Sequence, residues 1–435
     1  MDRRRTCAGA LMALALWGVP RGAGAAETLA ALQKAALERS PAIAAIDRRV
    51  TASRARASYA AALPDPTLGL AYVNDGWSPT LGEMPMSRVE VMLAQPLPYP
   101  GKRARRAEAA GAALSRLEAE RARAALDLSA EVARAWLELV EAQRRRDIGR
   151  EQLALWRDAT DATQRAFESG QGALQDTLRA EIETTRLAGF LAEAQAAETR
   201  ALSHLDALLA RPPGTTSAVD DRLELPTLPE GADALARATR QLPELRALAA
   251  ERAGRRADLL LAELAARPDL ELEAGYAYRG GLPPMWQLGM RVGLPVWRES
   301  KLRPATRERE ATLAATDLDE QALRLRLRRV TTSRLALLAS AHRLSTLYAT
   351  RVLPLDRDGV AAALASYRSA RVPFVTVLDA IGQVFRDRLA LLDALVRARR
   401  LHIALEAIAL DDDDSARPRA MDAGGAAPDA PAGGM

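Results

Sequence analysis

Cysteine is almost missing from this chain: Cys7 is the single one among 435 residues. It lies within an N-terminal leader and lacks the small-residue box of a lipoprotein, so the remaining chain has no thiol. That excludes disulfides and thiolate metal sites. Histidine is equally scarce, and His204, His342 and His402 stand too far apart in sequence for a ligand spacing. Beyond the leader, no stretch of 18 or more residues is free of charge, which excludes a transmembrane helix. There is no HExxH, no glycine-rich phosphate loop and no Ser/His/Asp grouping, so no catalytic residue, cofactor or resident metal is expected. The formal charge of +5 is concentrated in the leader, which holds four arginines and one aspartate; about +2 is left, too little to argue for nucleic acid.

The leader itself is present and legible. Arg3, Arg4 and Arg5 form a charged start, Ala8 to Val19 an apolar stretch, and Ala23-Gly24-Ala25 a small-residue cleavage site. Residues 1–26 are expected to be a secretory signal peptide, which sends the chain out of the cytoplasm.

Beyond the leader the chain repeats itself. Pro41 and Pro66 recur as Pro243 and Pro268, and Leu68 and Leu70 as Leu270 and Leu272, all at an offset of 202. Phe167, Ser169, Leu174, Leu178 and Ala180 align with Tyr367, Ser369, Phe374, Leu378 and Ala380 at an offset of 200. Such a period is too long for a solenoid unit. The expected domains are a first repeat over 27–210, a Pro/Gly-rich linker over 211–231 and a second repeat over 232–410. A tail over 411–435, opening on four aspartates, reads as disordered.

Each repeat carries two strand candidates and then a helical hairpin. The strands are expected at about 67–75 and 88–97, and at about 269–279 and 285–295. In the first pair Leu68, Leu70 and Tyr72 share a face, as do Val89, Val91 and Leu93. In the second pair Leu270, Leu272, Ala274, Tyr276 and Tyr278 share a face, as do Trp286, Leu288, Met290 and Val292. Short segments that alternate apolar with polar, rich in Trp and Tyr, mark transmembrane β-strands. The hairpins are expected over about 101–210 and 298–410. The run from Gly101 to Ser169 has no proline, and a helix of that length is on the order of 100 Å long. Its counterpart carries Pro304 and Pro354, the latter a candidate kink. Both long helices end in a turn, at Ser169-Gly170-Gln171-Gly172 and at Ser369-Ala370-Arg371-Val372-Pro373. Pro373 is expected to start the returning helix.

Met84, Met86 and Met92 have no His or Cys beside them and read as loop or lipid-facing packing, not as a soft-metal site. Asp176, near the first turn, reads as a solvated acid. Four strands cannot stand alone in lipid, because the open edges would leave backbone groups unpaired. Closure by cyclic symmetry asks for identical copies: two give eight strands and no open channel, three give twelve and a pore.

In order and duplication these segments resemble the TolC-like outer-membrane factor family. The resemblance covers about residues 28–410. It rests on the repeated Pro-x-Leu-x-Leu at 66–70 and 268–272, the passage Gln95 to Arg103, and the tip sequences Phe167 to Gly170 and Tyr367 to Ala370, followed by Val377-Leu378-Asp379-Ala380. The resemblance implies a mainly α fold with a transmembrane β-barrel portion: long helical hairpins forming a periplasmic tunnel, and four strands per protomer contributing to a 12-stranded trimeric barrel. It implies a homotrimer in outer-membrane lipid, extending into the periplasm. Its implied function is the outer-membrane channel of a tripartite efflux system, a passive exit duct for small substrates and not an enzyme. The implied partners are a periplasmic adaptor and an inner-membrane pump of the proton-driven resistance-nodulation-division type. Asp379 matches the aperture-ring acid, Thr376 stands where a second acid is usual, and Tyr367 matches an aromatic that helps hold the tip closed. Ser169, Gly170, Gly172, Ser369, Ala370 and Arg371 are the implied adaptor contacts. Pro100-Gly101-Lys102-Arg103 resembles the branch serving heavy-metal cations of the cobalt–zinc–cadmium type. A type I protein-secretion duct remains the alternative within this class; a periplasmic coiled-coil adaptor or scaffold is the alternative outside it.

Overall fold

The computed structural model describes residues 27–216, 219–220, 222–369 and 371–411. The leader, residues 412–435 of the tail and Ala370 of the second tip lie outside these described residues.

The elements run through one order twice. In the first repeat α1 (Leu29–Arg39) and α2 (Pro41–Tyr59) lead to β1 (Thr67–Val73) and β2 (Arg88–Leu97), then to α3 (Lys102–Glu168) and α4 (Leu174–Leu208). In the second, α5 (Gly231–Gln241) and α6 (Pro243–Leu264) lead to β3 (Leu270–Tyr278) and β4 (Met285–Val292). The next long helix comes in two parts, α7 (Arg303–Leu347) and α8 (Leu353–Arg368), before α9 (Phe374–Glu406) returns. Ser40 caps α2 by accepting from the Ile43 N–H, with Pro41 inside the first turn where its missing N–H costs nothing.

The four strands form one antiparallel sheet in the order β1-β2-β3-β4. The pairing of β2 with β3 joins the two repeats, so the outer edges are β1 and β4. The register aligns every apolar position the alternation picked out. Leu70 sits beside Val91, Val91 beside Tyr276, and Tyr276 beside Trp286. Two strands end two or three residues earlier than expected. β1 stops at Val73 because the Asn74 side chain organises the next turn, accepting from the Thr80 N–H and from Thr80 Oγ1 and Ser87 Oγ. β4 stops at Val292, ahead of Pro295, which has no N–H for a ladder.

α3 is one unbroken helix of 67 residues, ~100 Å at 1.5 Å per residue. Its buried side is rich in small side chains (Ala130, Ala133, Ala135, Ala142, Ala159), which lets neighbouring helices pack close. The second repeat departs from this. Two π-helical turns, Arg298–Leu302 and Tyr348–Val352, each end two residues before a proline, Pro304 and Pro354. Proline removes one backbone bond and clashes with the carbonyl four residues back; the wider turn accommodates both. The sequence anticipated a kink at Pro354; the structure places a π-turn ahead of it, and a second one ahead of Pro304.

The two largest apolar cores among the described residues stiffen the hairpins. One surrounds Trp136 and joins α1, α3, α4 and α9; the Trp136 indole donates to the Asp220 carbonyl at 2.9 Å and Arg399 lies over its ring at 5.9 Å. The other lies toward the tips and joins Trp156, Leu187, Val360, Phe374, Val377 and Ile381. The start of the linker is fastened by the fully buried Asp206. Its carboxylate accepts from the N–H groups of Gly214, Thr215 and Thr216 and from Thr216 Oγ1 at 2.6 Å.

Candidate functional site

Period-two alternation gives the sheet two unlike faces. One carries Leu68, Leu70, Tyr72, Val91, Leu93, Leu272, Tyr276, Trp286, Leu288 and Met290, all exposed in the single chain. Leu70, Trp286 and Leu288 are at least 75% exposed, so nothing among the described residues covers them. The opposite face is polar. Arg88 pairs with Glu90, and Arg291 reaches across to Glu271 at 3.0 Å and to Glu273. Met92 stands on this polar face, in one cross-strand row with Gly69, Gly275 and Gln287. That corrects the expectation for Met92 of loop or lipid-facing packing, because register, and not hydropathy, decides which face a strand residue takes.

The sheet is locked to the long helices at one joint. Gly101 takes φ +96° to turn the chain from β2 into α3. Lys102, buried, donates to the Arg267 carbonyl at 3.1 Å and to Asp269 Oδ1 at 2.8 Å, while the Tyr99 N–H donates to the same oxygen at 2.7 Å. Arg103 Nε donates to the Ala61 carbonyl at 2.6 Å. The Pro-Gly-Lys-Arg passage thus ties β2 and α3 of the first repeat to the start of β3 in the second and to the end of α2.

At the far end each hairpin closes in a capped turn. Gly170 takes φ +71°, and the N–H groups of Gln171 and Gly172 both donate to the Ala166 carbonyl, at 2.8 and 2.9 Å. A side chain on Gly172 would put its Cβ 2.9 Å from that of Ala166, so close approach requires glycine there. Ser169 Oγ donates to the Ala166 carbonyl. In the second turn Ser369 Oγ donates to the Ala365 and Ser366 carbonyls, and the Arg371 N–H to the Ser366 carbonyl at 2.9 Å. Pro373 is the extended residue just before α9, which starts at Phe374, one residue later than expected.

A cleft between the two turns is lined by Arg165, Gln171, Gly172, Asp176, Tyr367 and Arg371, among others. Tyr367 stacks at a tilt on Phe374, ring centroids 5.4 Å apart, and its hydroxyl is buried without a partner among the described residues. Burial, and then the Asp176 charge, push the Tyr367 hydroxyl above its ordinary value. Asp176, half-buried, lines the cleft beside Tyr367. Thr376 and Asp379 lie one turn apart on α9 and are both exposed, whereas Val377 and Ile381 on the same helix are buried. The structure thus brings Tyr367 into the tip core and leaves Asp379 and Thr376 on a solvent-exposed face of α9.

Sequence reasoning missed a second acidic feature. Asp356, just past the π-turn and Pro354, lies against Asp387 of α9, which also accepts from Gln383 Nε2 at 2.7 Å. Burial, then the Asp387 hydrogen bond and charge, hold the Asp356 carboxyl above the ordinary range. The repeat offset could have revealed the pair, because it aligns Asp356 and Asp387 with Trp156 and Leu187. Among the described residues, no group of three or more His, Cys, Asp or Glu could hold a metal ion, and no helix is long and apolar enough to cross a membrane.

Known proteins share both the sequence pattern and this geometry. Residues 32–211 match the outer membrane efflux protein family. No curated protein matches the chain in sequence. Its fold is that of several solved structures. The outer-membrane channel OprN aligns with TM-score 0.75 at 21% identity, over 87% of this chain and 89% of its own. CusC, described in terms of folding and transmembrane channel formation, aligns with TM-score 0.73 at 18% identity over 87% and 91%. The outer membrane protein VceC from Vibrio cholerae aligns with TM-score 0.72 at 18% identity over 87% and 95%.

Proposed function

Since residues 32–211 fall within the outer membrane efflux protein family and the chain has the fold of solved outer-membrane channels, we propose that this protein is the outer-membrane duct of a tripartite efflux system. The observation that carries this reading is the sheet. It has one predominantly apolar, largely exposed face, one polar face and two edges without a strand partner among the described residues, and it is mounted on long helices, α3 alone ~100 Å in length. In lipid such edges must pair, each unsatisfied group costing several kcal/mol. Three copies would close a barrel of twelve strands with the apolar face to lipid and the polar face to a lumen.

Leucines exposed along α7 favour the same assembly. Leu318 and Leu325 are 64% and 70% exposed, and they stand seven residues apart, as do the exposed Leu337 and Leu344. Seams of that period pack against a neighbouring helix. The duct is passive. The energy is assigned to an inner-membrane pump of the proton-driven type, reached through a periplasmic adaptor that docks on the helical tips at Ser169, Gly170, Gly172, Ser369, Ala370 and Arg371. Asp379 and Thr376 are assigned to the aperture, with Tyr367 stiffening the tip behind them. Small substrates are the cargo, and heavy-metal cations are the first class to test, on the resemblance of the Pro100–Arg103 passage.

Outer-membrane fractionation, unheated against heated gel electrophoresis and planar-bilayer recording test this together. A heat-sensitive trimer with discrete conductance is expected; a soluble, non-conducting chain would return the hairpins to the adaptor or scaffold reading. In the same bilayer, Asp379→Ala is expected to raise single-channel conductance without changing thermal stability, and an unchanged conductance would remove Asp379 from the aperture.

A further inference from the structure

Past the end of α9 at Glu406 the chain is gripped by arginines from both repeats. Arg123 of α3 donates to the Ile408 carbonyl at 3.3 Å, and Arg326 of α7 to the Leu410 carbonyl at 3.0 Å. Arg334, also on α7 and only 7% exposed, donates to the carbonyls of Ala404 and Ala409 and to that of Asp411 at 2.6 Å. Cations suit this place, because the carbonyls at a helix C-terminus lack intrahelical donors and carry the negative end of its dipole. Ile408 takes φ +49°, a left-handed backbone that a β-branched side chain disfavours, where the chain turns off the helix and onto α7.

This grip decides where the next residues begin. Asp411 opens a run of four aspartates, Asp411 to Asp414. The stretch of α7 that holds it, from Arg324 to Arg334, carries five arginines and no acid. Arg324 pairs with Glu320 at 2.5 Å, whereas Arg326 has no carboxylate partner among the described residues. The three residues after Asp411 reach about 10 Å at most, at ~3.3–3.6 Å each. The helix rises about 12 Å from Arg326 to Arg334. The acid run therefore starts on this stretch and is about as long as it. A tail left to solvent would need neither a buried arginine nor a left-handed isoleucine to aim it.

We propose that residues 411–414 dock back on the arginines of α7, Arg326 and Arg329 foremost, as an acidic clasp supplied by the chain itself. The chemistry is carboxylate on guanidinium, whose planar fork takes both oxygens at once. Arg123 belongs to the first repeat and α7 to the second, so the clasp closes the chain's end over the junction of the two. It also covers a basic surface that would otherwise attract acidic segments and other polyanions. Exposed ion pairs are weak one by one; a network of several is stronger, and it fades as salt is added. The clasp does not depend on the duct reading.

The test follows amide hydrogen exchange in the detergent-purified full chain, comparing residues 412–414 with residues 424–434 of the same tail, each relative to its intrinsic rate. At about 10 mM salt, where charges act over ~30 Å, the acid run is expected to exchange roughly tenfold more slowly than the reference; at about 1 M, where they act over ~3 Å, the difference is expected to vanish. The triple variant Asp412→Asn/Asp413→Asn/Asp414→Asn keeps the tail's length, and Arg326→Gln/Arg329→Gln leaves the buried Arg334 in place. Each is expected to abolish the protection at low salt. Reversing both sides, Arg326→Glu/Arg329→Glu with Asp412→Lys/Asp413→Lys, is expected to restore it. An acid run that exchanges as fast as the reference in the parent, or protection that survives salt or either variant, would overturn the clasp. Protection lost on dilution would place the run on a second copy and overturn docking within the chain. The parent's exchange at the two salt concentrations decides the matter even where a variant fails to fold.

Discussion

Ahead of its tip the first hairpin buries Trp156 against the core that holds Leu187; 200 residues on, the second hairpin places Asp356 against Asp387. The first long helix runs 67 residues without interruption, while the second is divided by a π-turn and Pro354 next to that acidic pair. The backbone path is shared and one apolar core spans both tips, but where the first hairpin adds Trp156 and Leu187 to that core, the second sets two carboxyls that repel each other once both are charged. Duplication conserved the outline and let the interior diverge. The bend and the weak lock fall on one hairpin, so movement at the tip is expected there first.

The comparison can be broken most severely at Trp156. Trp156→Ala empties the rigid lock and is expected to destabilise the protein by about 3–5 kcal/mol, read as a fall in the thermal midpoint. Ala154→Pro comes next. Ala154 is exposed and is the counterpart of Pro354, and a proline in that uninterrupted helix is expected to cost about 3 kcal/mol. Hydrogen exchange would then show the first hairpin opening as readily as the second. If exchange there is unchanged, the continuity of α3 is not what holds it closed.

A smaller effect sharpens the comparison from the other side. The folded state holds the Asp356 proton more tightly than the unfolded state does. The pair therefore costs no stability below the ordinary aspartate range, near pH ~3.9, and a penalty grows as pH rises through the elevated folded value. Asp387→Asn replaces repulsion by an amide that donates to Asp356. The variant is expected to melt higher than the parent at neutral pH and to converge with it in acid. Identical melting at both pH values would mean that the acids are indifferent to one another.

Much of this molecule was legible in its residues. Leu68 to Tyr72 and Leu270 to Tyr278 alternate cleanly, and a strand's faces follow from that alone. The proline-free run after Gly101 announces a very long helix. What could not be read depends on juxtaposition across the repeats. Gly275 comes to lie beside Met92 only because β2 pairs with β3, and nothing local in either strand specifies that partner. Asp387 looks like an ordinary helix acid until α9 packs on α8. Asp269 looks like a turn residue until Lys102 reaches it from the other repeat. A π-turn leaves no signature beyond the proline after it, so a kink was foreseeable and its form was not.

The unpaired edges of β1 and β4 also set a rate law. On the proposed assembly, a chain whose sheet is complete only beside other copies cannot finish folding by itself, so its last step depends on the concentration of its own kind. Until that encounter, the bare ladders will pair with whatever strand comes near. Dilution should therefore trap the chain one step short of its native form, and crowding before insertion should divert it into aggregates.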